Sequence, residues 1–80
     1  MITLNLIIGI VGMMALLLAF ILNLLKRLTQ DDLTYIGLNI AGGGLSTYYA
    51  VSLDAVPFII LEGVWTLFAL YKLFKVLKVI

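Results

Sequence analysis

Glu62 is the residue whose chemistry stands out most, because it is the only charged side chain in the stretch 55–71. A charge is costly in apolar surroundings, and an ionisable side chain within a membrane helix usually marks a functional site. The carboxyl group could exchange a proton, pair with a cation, or remain protonated as a structural hydrogen-bond donor. From the sequence, proton or cation handling and the structural role are equally favoured.

Other polar side chains recur at helical spacing and could share a site with Glu62. Asn39, Ser46 and Tyr49 fall on one side of a helix with a 3.6-residue period. Asn23 falls on the same face of its predicted helix as several small residues. We therefore predict a substrate-binding site formed by Glu62, Asn39, Ser46, Tyr49 and Asn23. For the two asparagines, the alternative role is a hydrogen bond between helices.

Residue types needed for several other chemistries are absent from the sequence. It contains no cysteine and no histidine, which removes disulfides and the usual ligands and bases of zinc, haem and histidine-dependent catalytic sites. One carboxylate with hydroxyls and amides is too little for hydrolysis or group transfer. We therefore expect no enzymatic activity, no metal site, no cofactor and no nucleic-acid partner.

The composition is typical of a membrane protein. Hydrophobic residues make up 65% of the 80 residues, charged residues make up 11%, and the mean hydropathy is +1.28. Three stretches, 1–25, 33–53 and 55–71, are each about long enough to cross roughly 30 Å of hydrocarbon as a helix. We predict one all-α domain over 1–80, an integral membrane three-helix bundle with helices at approximately 3–27, 32–53 and 55–77.

Small residues at helical spacing predict close contacts between these helices. They are Gly9, Gly12 and Ala19 on the first helix, and Gly42, Gly43 and Gly44 on the second. Small side chains let membrane helices approach each other and gain van der Waals contact. For the run of three glycines, a hinge is the alternative role. Pro57 is predicted in the first turn of the third helix, where its missing N–H costs little.

The positions of the basic residues predict an orientation. Lys26 and Arg27 follow the first stretch, and Lys72, Lys75 and Lys78 follow the third. Three crossings bring both groups to the same side, which is the cytoplasmic side for Lys and Arg. We expect the N-terminus outside, the C-terminus in the cytoplasm, and contact between the lysines and anionic membrane lipid.

The order of these features resembles the SemiSWEET sugar transporters of bacteria, over about 9–72. A glycine-containing first helix, a basic and then acidic connection, a second helix with glycine and tyrosine, and a third helix opening at Pro57 carry the resemblance. It implies a bacterial inner membrane and a three-helix half-transporter that dimerises, with the third helix between the first two. Glu62 stands where that family has a binding-site asparagine, and Tyr49 where a tyrosine is common.

Two departures separate the chain from the sugar transporters. Leu22-Asn23 stands where the family has its Pro-Gln dipeptide, and Ser46 where it has a pocket tryptophan. The resemblance therefore does not imply sugar transport. The chain looks closer to short three-helix bacterial membrane proteins of the PQ-loop-like architecture that lack the Pro-Gln motif.

These observations favour a homodimeric half-transporter for a small solute, in which Glu62 of each copy faces the shared interior. The alternative is a non-transporting scaffold or accessory subunit that packs into a larger membrane complex through its glycine-rich helix faces. A pore of the holin type is a third and weaker option.

Overall fold

Three α-helices account for the regular structure of residues 3–78, which are the residues described by the computed structural model. They are α1, Leu4–Leu24; α2, Leu33–Ser52; and α3, Val56–Val76. The all-α prediction is confirmed. Each helix lies within its predicted range, and the largest difference is at the end of α1.

The C-terminus of α1 comes earlier than the predicted residue 27 because Lys26 adopts a left-handed backbone conformation, with φ 61°. The Arg27 N–H donates to the carbonyl of Leu22 over 2.9 Å, and the Lys26 N–H donates to that of Asn23 over 3.0 Å. This hydrogen-bond pattern closes a helix by satisfying its last carbonyls. The chain then leaves the helix axis at Lys26.

The same kind of turn closes α2 and makes the second connection short. Asp54 has φ 54°, and the Ala55 N–H donates to the Ala50 carbonyl over 3.0 Å. Because α3 begins at Val56, it must turn back directly alongside α2. Pro57 lies in the first turn of α3, where a missing N–H leaves no helical hydrogen bond unmade.

The three helices form a flat layer with α2 in the middle. Within residues 3–78, α1 and α3 each pack against α2 and not against each other. The dimensions are 41 × 27 × 18 Å. This arrangement corrects the helix order implied by the SemiSWEET resemblance, which places the third helix between the first two. Short connections favour antiparallel packing of helices that are consecutive in the chain, and here they make α2 the central helix.

The single chain has very little interior. Its buried apolar residues are Ala19, Ile36 and Ala50, while Leu67 and Phe68 on α3 are more than half exposed. By length and composition, α1 and α3 are each suited to cross a membrane. The middle helix is not as apolar, because polar and small residues line the sides that meet its neighbours. Residues 3–78 thus contain two helices that are candidate membrane spans, α1 and α3.

Candidate functional site

A groove runs along one face of the helix layer, with α2 as its floor and α1 and α3 as its walls. It contains two cavities, of about 470 and 350 Å³. Met13 and Leu16 of α1 and Glu62 of α3 line both cavities, so the cavities are parts of one continuous groove. Volumes of this size are typical of sites for small organic ligands.

Glu62 lies where the two cavities meet, and one of its carboxylate oxygens is unpaired. Its side chain is half-buried, and Oε2 is inaccessible and has no hydrogen-bond partner among residues 3–78. The nearby Thr66 hydroxyl donates instead to the backbone carbonyl of Glu62, over 2.8 Å. Buried polar atoms are normally paired. The side chain of Glu62 therefore lines the groove, and the described chain supplies no partner for its Oε2.

Ser46 and Tyr49 share the larger cavity with Glu62. The ring of Tyr49 lies against α1 at Gly9, where an added Cβ would come within 2.5 Å of the ring atom Cγ. Glycine at position 9 therefore allows the tyrosine ring to occupy the angle between α1 and α2. Three of the five residues predicted to form the site thus line one cavity, and a fourth, Asn39, lines the other cavity of the groove.

Asn39 lines the smaller cavity, but both of its polar atoms are already used. The side chain is 6% exposed, and Nδ2 donates to the Tyr35 carbonyl over 2.8 Å. Oδ1 accepts from the Trp65 indole N–H over 2.8 Å. Asn39 therefore joins α2 to α3 in the structural role considered above as the alternative. Trp65 itself was missed by sequence reasoning, although it follows Glu62 by one helical turn and could have been identified by that spacing.

Asn23 does not reach the groove, contrary to the prediction. Its Nδ2 donates to the Leu28 carbonyl over 2.9 Å, at the end of α1. The side chain therefore stabilises the connection between α1 and α2. Neither cavity of the groove is lined by it.

Glycines allow close contact between the helices on both sides of α2. Gly12 and Gly42 meet where α1 crosses α2, and a Cβ added at Gly42 would lie 2.7 Å from the Gly12 carbonyl oxygen. Ala19 is 1% exposed on the same face of α1. On the other side, a Cβ added at Gly43 would collide with the Thr66 hydroxyl.

Gly44 does not pack against α1 or α3, contrary to the prediction. It is exposed, and a Cβ added there would have nothing within 4 Å. In an α-helix, consecutive residues point about 100° apart. Of the three glycines in the run, Gly42 faces α1 and Gly43 faces α3, so Gly44 points away from both.

An ion pair joins one end of α3 to the connection between α1 and α2. Lys72 Nζ lies 2.6 Å from Asp31 Oδ1, and Lys75 lies over the ring of Tyr71, 5.9 Å from its centroid. This end of the layer also carries Lys26. The two basic groups predicted to share one side are therefore at the same end of the molecule.

A protein-family model matches residues 5–79, which is nearly the whole chain. The chain belongs to that family. No curated protein and no solved structure matches it. None of these comparisons links the chain to the SemiSWEET transporters. The match covers α2, α3 and all of α1 except Leu4, so the groove and Glu62 lie within the matched region.

Proposed function

We propose that this protein is a three-span membrane protein whose groove binds a small solute at Glu62, and that two copies form a half-transporter pair. The position of Glu62 carries the proposal, because its side chain lines both cavities of the groove while one of its oxygens has no partner within residues 3–78. A carboxyl group within a membrane helix is costly unless it has a partner, and such groups commonly mark proton or substrate pathways.

If α1 and α3 both cross the membrane, α2, which connects them, must cross it as well, and the chain then has three spans. The chain leaves α1 at one end of the layer and, after residues 53–55, enters α3 at the other end of α2. The 20 residues of α2 cover about 30 Å at 1.5 Å per residue, the thickness of the hydrocarbon core. Lipid would then cover the exposed apolar side chains of α1 and α3. A single chain has little interior in which these side chains could be buried.

The orientation proposed for these spans places the end with the Asp31–Lys72 ion pair in the cytoplasm. All five Lys and Arg residues of the chain belong to its two basic groups, at 26–27 and 72–78. Lys and Arg are retained on the cytoplasmic side. The N-terminus is then outside, in a bacterial inner membrane, and the lysines after Tyr71 contact anionic lipid.

A second copy is proposed to cover the groove. Because α1 and α3 do not pack against each other, the groove is open along its length. A copy related by twofold symmetry would place its own Glu62 opposite the first and enclose a shared site near Ser46 and Tyr49. Symmetric repeats around a site near the membrane midplane allow alternating access when the two halves rock.

Glu62 is proposed to exchange a proton for the solute. Apart from Glu62, the titratable side chains lining the two cavities are Tyr35 and Tyr49, and neither cavity is lined by a lysine or arginine of residues 3–78. An ionised Glu62 thus has no counter-ion from the described chain. A bound proton or a bound cation would each neutralise it, and binding one would displace the other.

The test is Glu62→Gln in liposomes that contain a pH-sensitive dye, challenged with a panel of amines, amino acids and sugars. The amide keeps the shape of the side chain but cannot release a proton. We expect folding and dimer formation to persist, by circular dichroism and native mass spectrometry, while solute-driven proton movement is lost. Asp54→Asn, which removes an acid between α2 and α3, serves as the matched control. Unchanged proton movement in Glu62→Gln would refute the coupling role.

An accessory subunit is the second candidate, and the outer face of α2 favours it. Gly37, Ala41 and Gly44 are exposed on one side of this helix, and a Cβ at either glycine meets nothing within 4 Å. A helix from another protein could approach closely there. This function predicts a heteromeric complex that Gly44→Leu disrupts, whereas the half-transporter predicts a homodimer that the same change leaves intact.

A further inference from the structure

We propose that the solute class bound in the groove is an organic cation with apolar substituents, such as a substituted amine or a quaternary ammonium ion. This inference rests on the proposed function, because it names the ligand of the same site. It is carried by three features of the groove: an unpaired carboxyl group without a counter-ion, aromatic rings on all three helices, and few other polar groups.

The charge of the groove is complementary to a cation. Glu62 is the only acidic or basic side chain that lines its two cavities, and one of its oxygens has no partner in the described part of the chain. Lys72 lines a third cavity, which adjoins the smaller one because Tyr35, Asn39 and Trp65 line both, but Lys72 itself lines neither cavity of the groove and is paired with Asp31. The other basic residues also lie at the end of the layer. Among residues 3–78, a cation in the groove therefore meets one acidic side chain, and the nearest lysine along the layer already has a carboxylate partner.

Aromatic side chains line the same two cavities as Glu62. Tyr49 and Phe58 line the larger cavity, and Phe20, Tyr35 and Trp65 line the smaller one. On α3, Phe58 precedes Glu62 by four residues and Trp65 follows it by three, so the three side chains share a helix face. Aromatic faces attract cations, and cages of such rings recognise quaternary ammonium groups.

The position of the Trp65 ring is set by a hydrogen bond to a residue that is not aromatic. Its indole N–H donates to Asn39, a buried side chain that is itself held by the Tyr35 carbonyl. The ring is therefore held beside the smaller cavity before any ligand arrives. Such pre-organisation lowers the entropic cost of binding.

The remaining walls disfavour two other ligand classes. Metal ions such as Ca²⁺ and Mg²⁺ need several oxygen ligands, and residues 3–78 contain no cluster of three His, Cys, Asp or Glu side chains. A polyhydroxylated solute needs many hydrogen-bond partners, whereas Leu6, Ile10 and Met13 make one wall apolar. An organic cation with apolar substituents can pair with the single carboxylate and pack against the apolar walls.

Trp65 provides a direct readout, because it is the only tryptophan in the chain. We would titrate the protein in lipid nanodiscs with tetraphenylphosphonium and follow tryptophan fluorescence, subtracting the signal of empty nanodiscs. Tetraphenylborate has nearly the same shape with the opposite charge, and triphenylphosphine oxide is a neutral analogue. We expect saturable quenching by tetraphenylphosphonium alone.

The variants test whether the carboxylate is responsible. We expect Glu62→Gln to weaken tetraphenylphosphonium binding by about tenfold or more, corresponding to about 1.4 kcal/mol. Glu62→Asp keeps the charge on a shorter side chain, so its affinity for tetraphenylphosphonium should lie between those of the unchanged protein and Glu62→Gln. Asp54→Asn should bind like the unchanged protein. Circular dichroism of each variant verifies that the helices remain.

Each outcome separates this inference from the proposed function. Equal quenching by the borate or the neutral analogue, or unchanged binding in both Glu62 variants, would overturn the cation class. Proton movement in liposomes driven by a neutral solute and dependent on Glu62 would also overturn it, while leaving the half-transporter intact. Conversely, Glu62-dependent cation binding without any solute-driven proton movement would support the ligand class and count against transport.

Discussion

The two contacts made by α2 differ in the kind of atoms that meet. On the α1 side, Gly12 and Gly42 bring backbone against backbone. On the α3 side, no residue of α3 is buried, and the attachment is made by side chains, including the hydrogen bond from Trp65 to Asn39. Backbone atoms cannot rotate away from a neighbour, whereas side chains can. We therefore expect α1 and α2 to form a firm pair and α3, which carries Glu62, to be attached less tightly.

The difference matters for the proposed function because the groove lies between the firm pair and α3. Binding or release at Glu62 requires some change in the walls of the groove. Segments with few buried contacts open at lower free-energy cost than the core of a fold. Three predictions, from the largest expected effect to the smallest, test how far the two contacts differ.

Gly42→Ala is expected to have the largest effect, because it places a methyl group between two backbones. The new Cβ would lie 2.7 Å from the Gly12 carbonyl oxygen and 2.8 Å from Leu16 Cγ. We expect the free energy of unfolding to fall by about 1–3 kcal/mol, as for other overpacked contacts. The measurement is a titration with sodium dodecyl sulfate in mixed micelles, followed by circular dichroism.

The matched control for that change is Gly44→Ala, two residues along the same helix. Nothing lies within 4 Å of a Cβ there, and alanine favours a helix over glycine by up to about 1 kcal/mol. We expect no loss of stability and a small gain. If both variants lose the same free energy, the cost comes from the glycine run itself and not from contact with α1.

Gly43→Ala is expected to have a smaller effect, and one that a second substitution rescues. The added Cβ would collide with the Thr66 hydroxyl, while the next nearest atom, Thr66 Cβ, is 3.4 Å away. We expect a loss of about 1 kcal/mol, at the low end for overpacking. Adding Thr66→Ala removes the colliding atom and should restore most of the loss in a double-mutant cycle.

The corresponding double-mutant cycle at the contact between α1 and α2 should not restore the lost free energy of unfolding. Leu16→Ala removes one neighbour of a Cβ at position 42, but the Gly12 carbonyl oxygen remains. We therefore expect the double variant of Gly42→Ala with Leu16→Ala to be no more stable than Gly42→Ala alone. Rescue on both sides, or on neither, would show that the two contacts are of the same kind.

Breaking the ion pair at the end of α3 is expected to have the smallest effect. The side chains of Lys72 and Asp31 are 39% and 74% exposed, and exposed pairs contribute about 0.2–1 kcal/mol because water and salt screen them. Lys72→Met and Asp31→Asn in a double-mutant cycle should give a coupling energy in that range, decreasing as salt is added. A larger coupling that salt leaves unchanged would mean that this pair fastens α3 more firmly than its exposure suggests.

Much of the fold follows from local sequence features. Apolar stretches predict the three helices, and Pro57 marks the first turn of α3 because proline is tolerated there. The early end of α1 was missed, since the left-handed conformation at Lys26 is usually associated with glycine. Asn23 was placed in the site because its helical face includes small residues. A side chain at the end of a helix can instead form a hydrogen bond with the following connection, as Asn23 does with the Leu28 carbonyl.

For the site itself, helical spacing predicted which residues share a face of one helix. It did not predict which residues of different helices meet. Asn39, Ser46 and Tyr49 were placed on one side of α2, and each of them lines a cavity that Glu62 also lines. The pairing of Asn39 with Trp65 spans 26 residues of sequence. No periodicity within one helix predicts a hydrogen bond between residues on two helices.

By itself, the sequence determined that this protein is all-α and rich in apolar surface, that its helices approach through glycine, and that one carboxyl group lies in an apolar stretch. These are properties of residue type and spacing, and the covalent chain carries them unchanged. Only the tertiary structure decided that α2 is central, that Gly44 faces outward, and that Glu62 opens into a groove between α1 and α3. Those properties depend on the rotation and order of whole helices, which are set by the sum of many weak contacts.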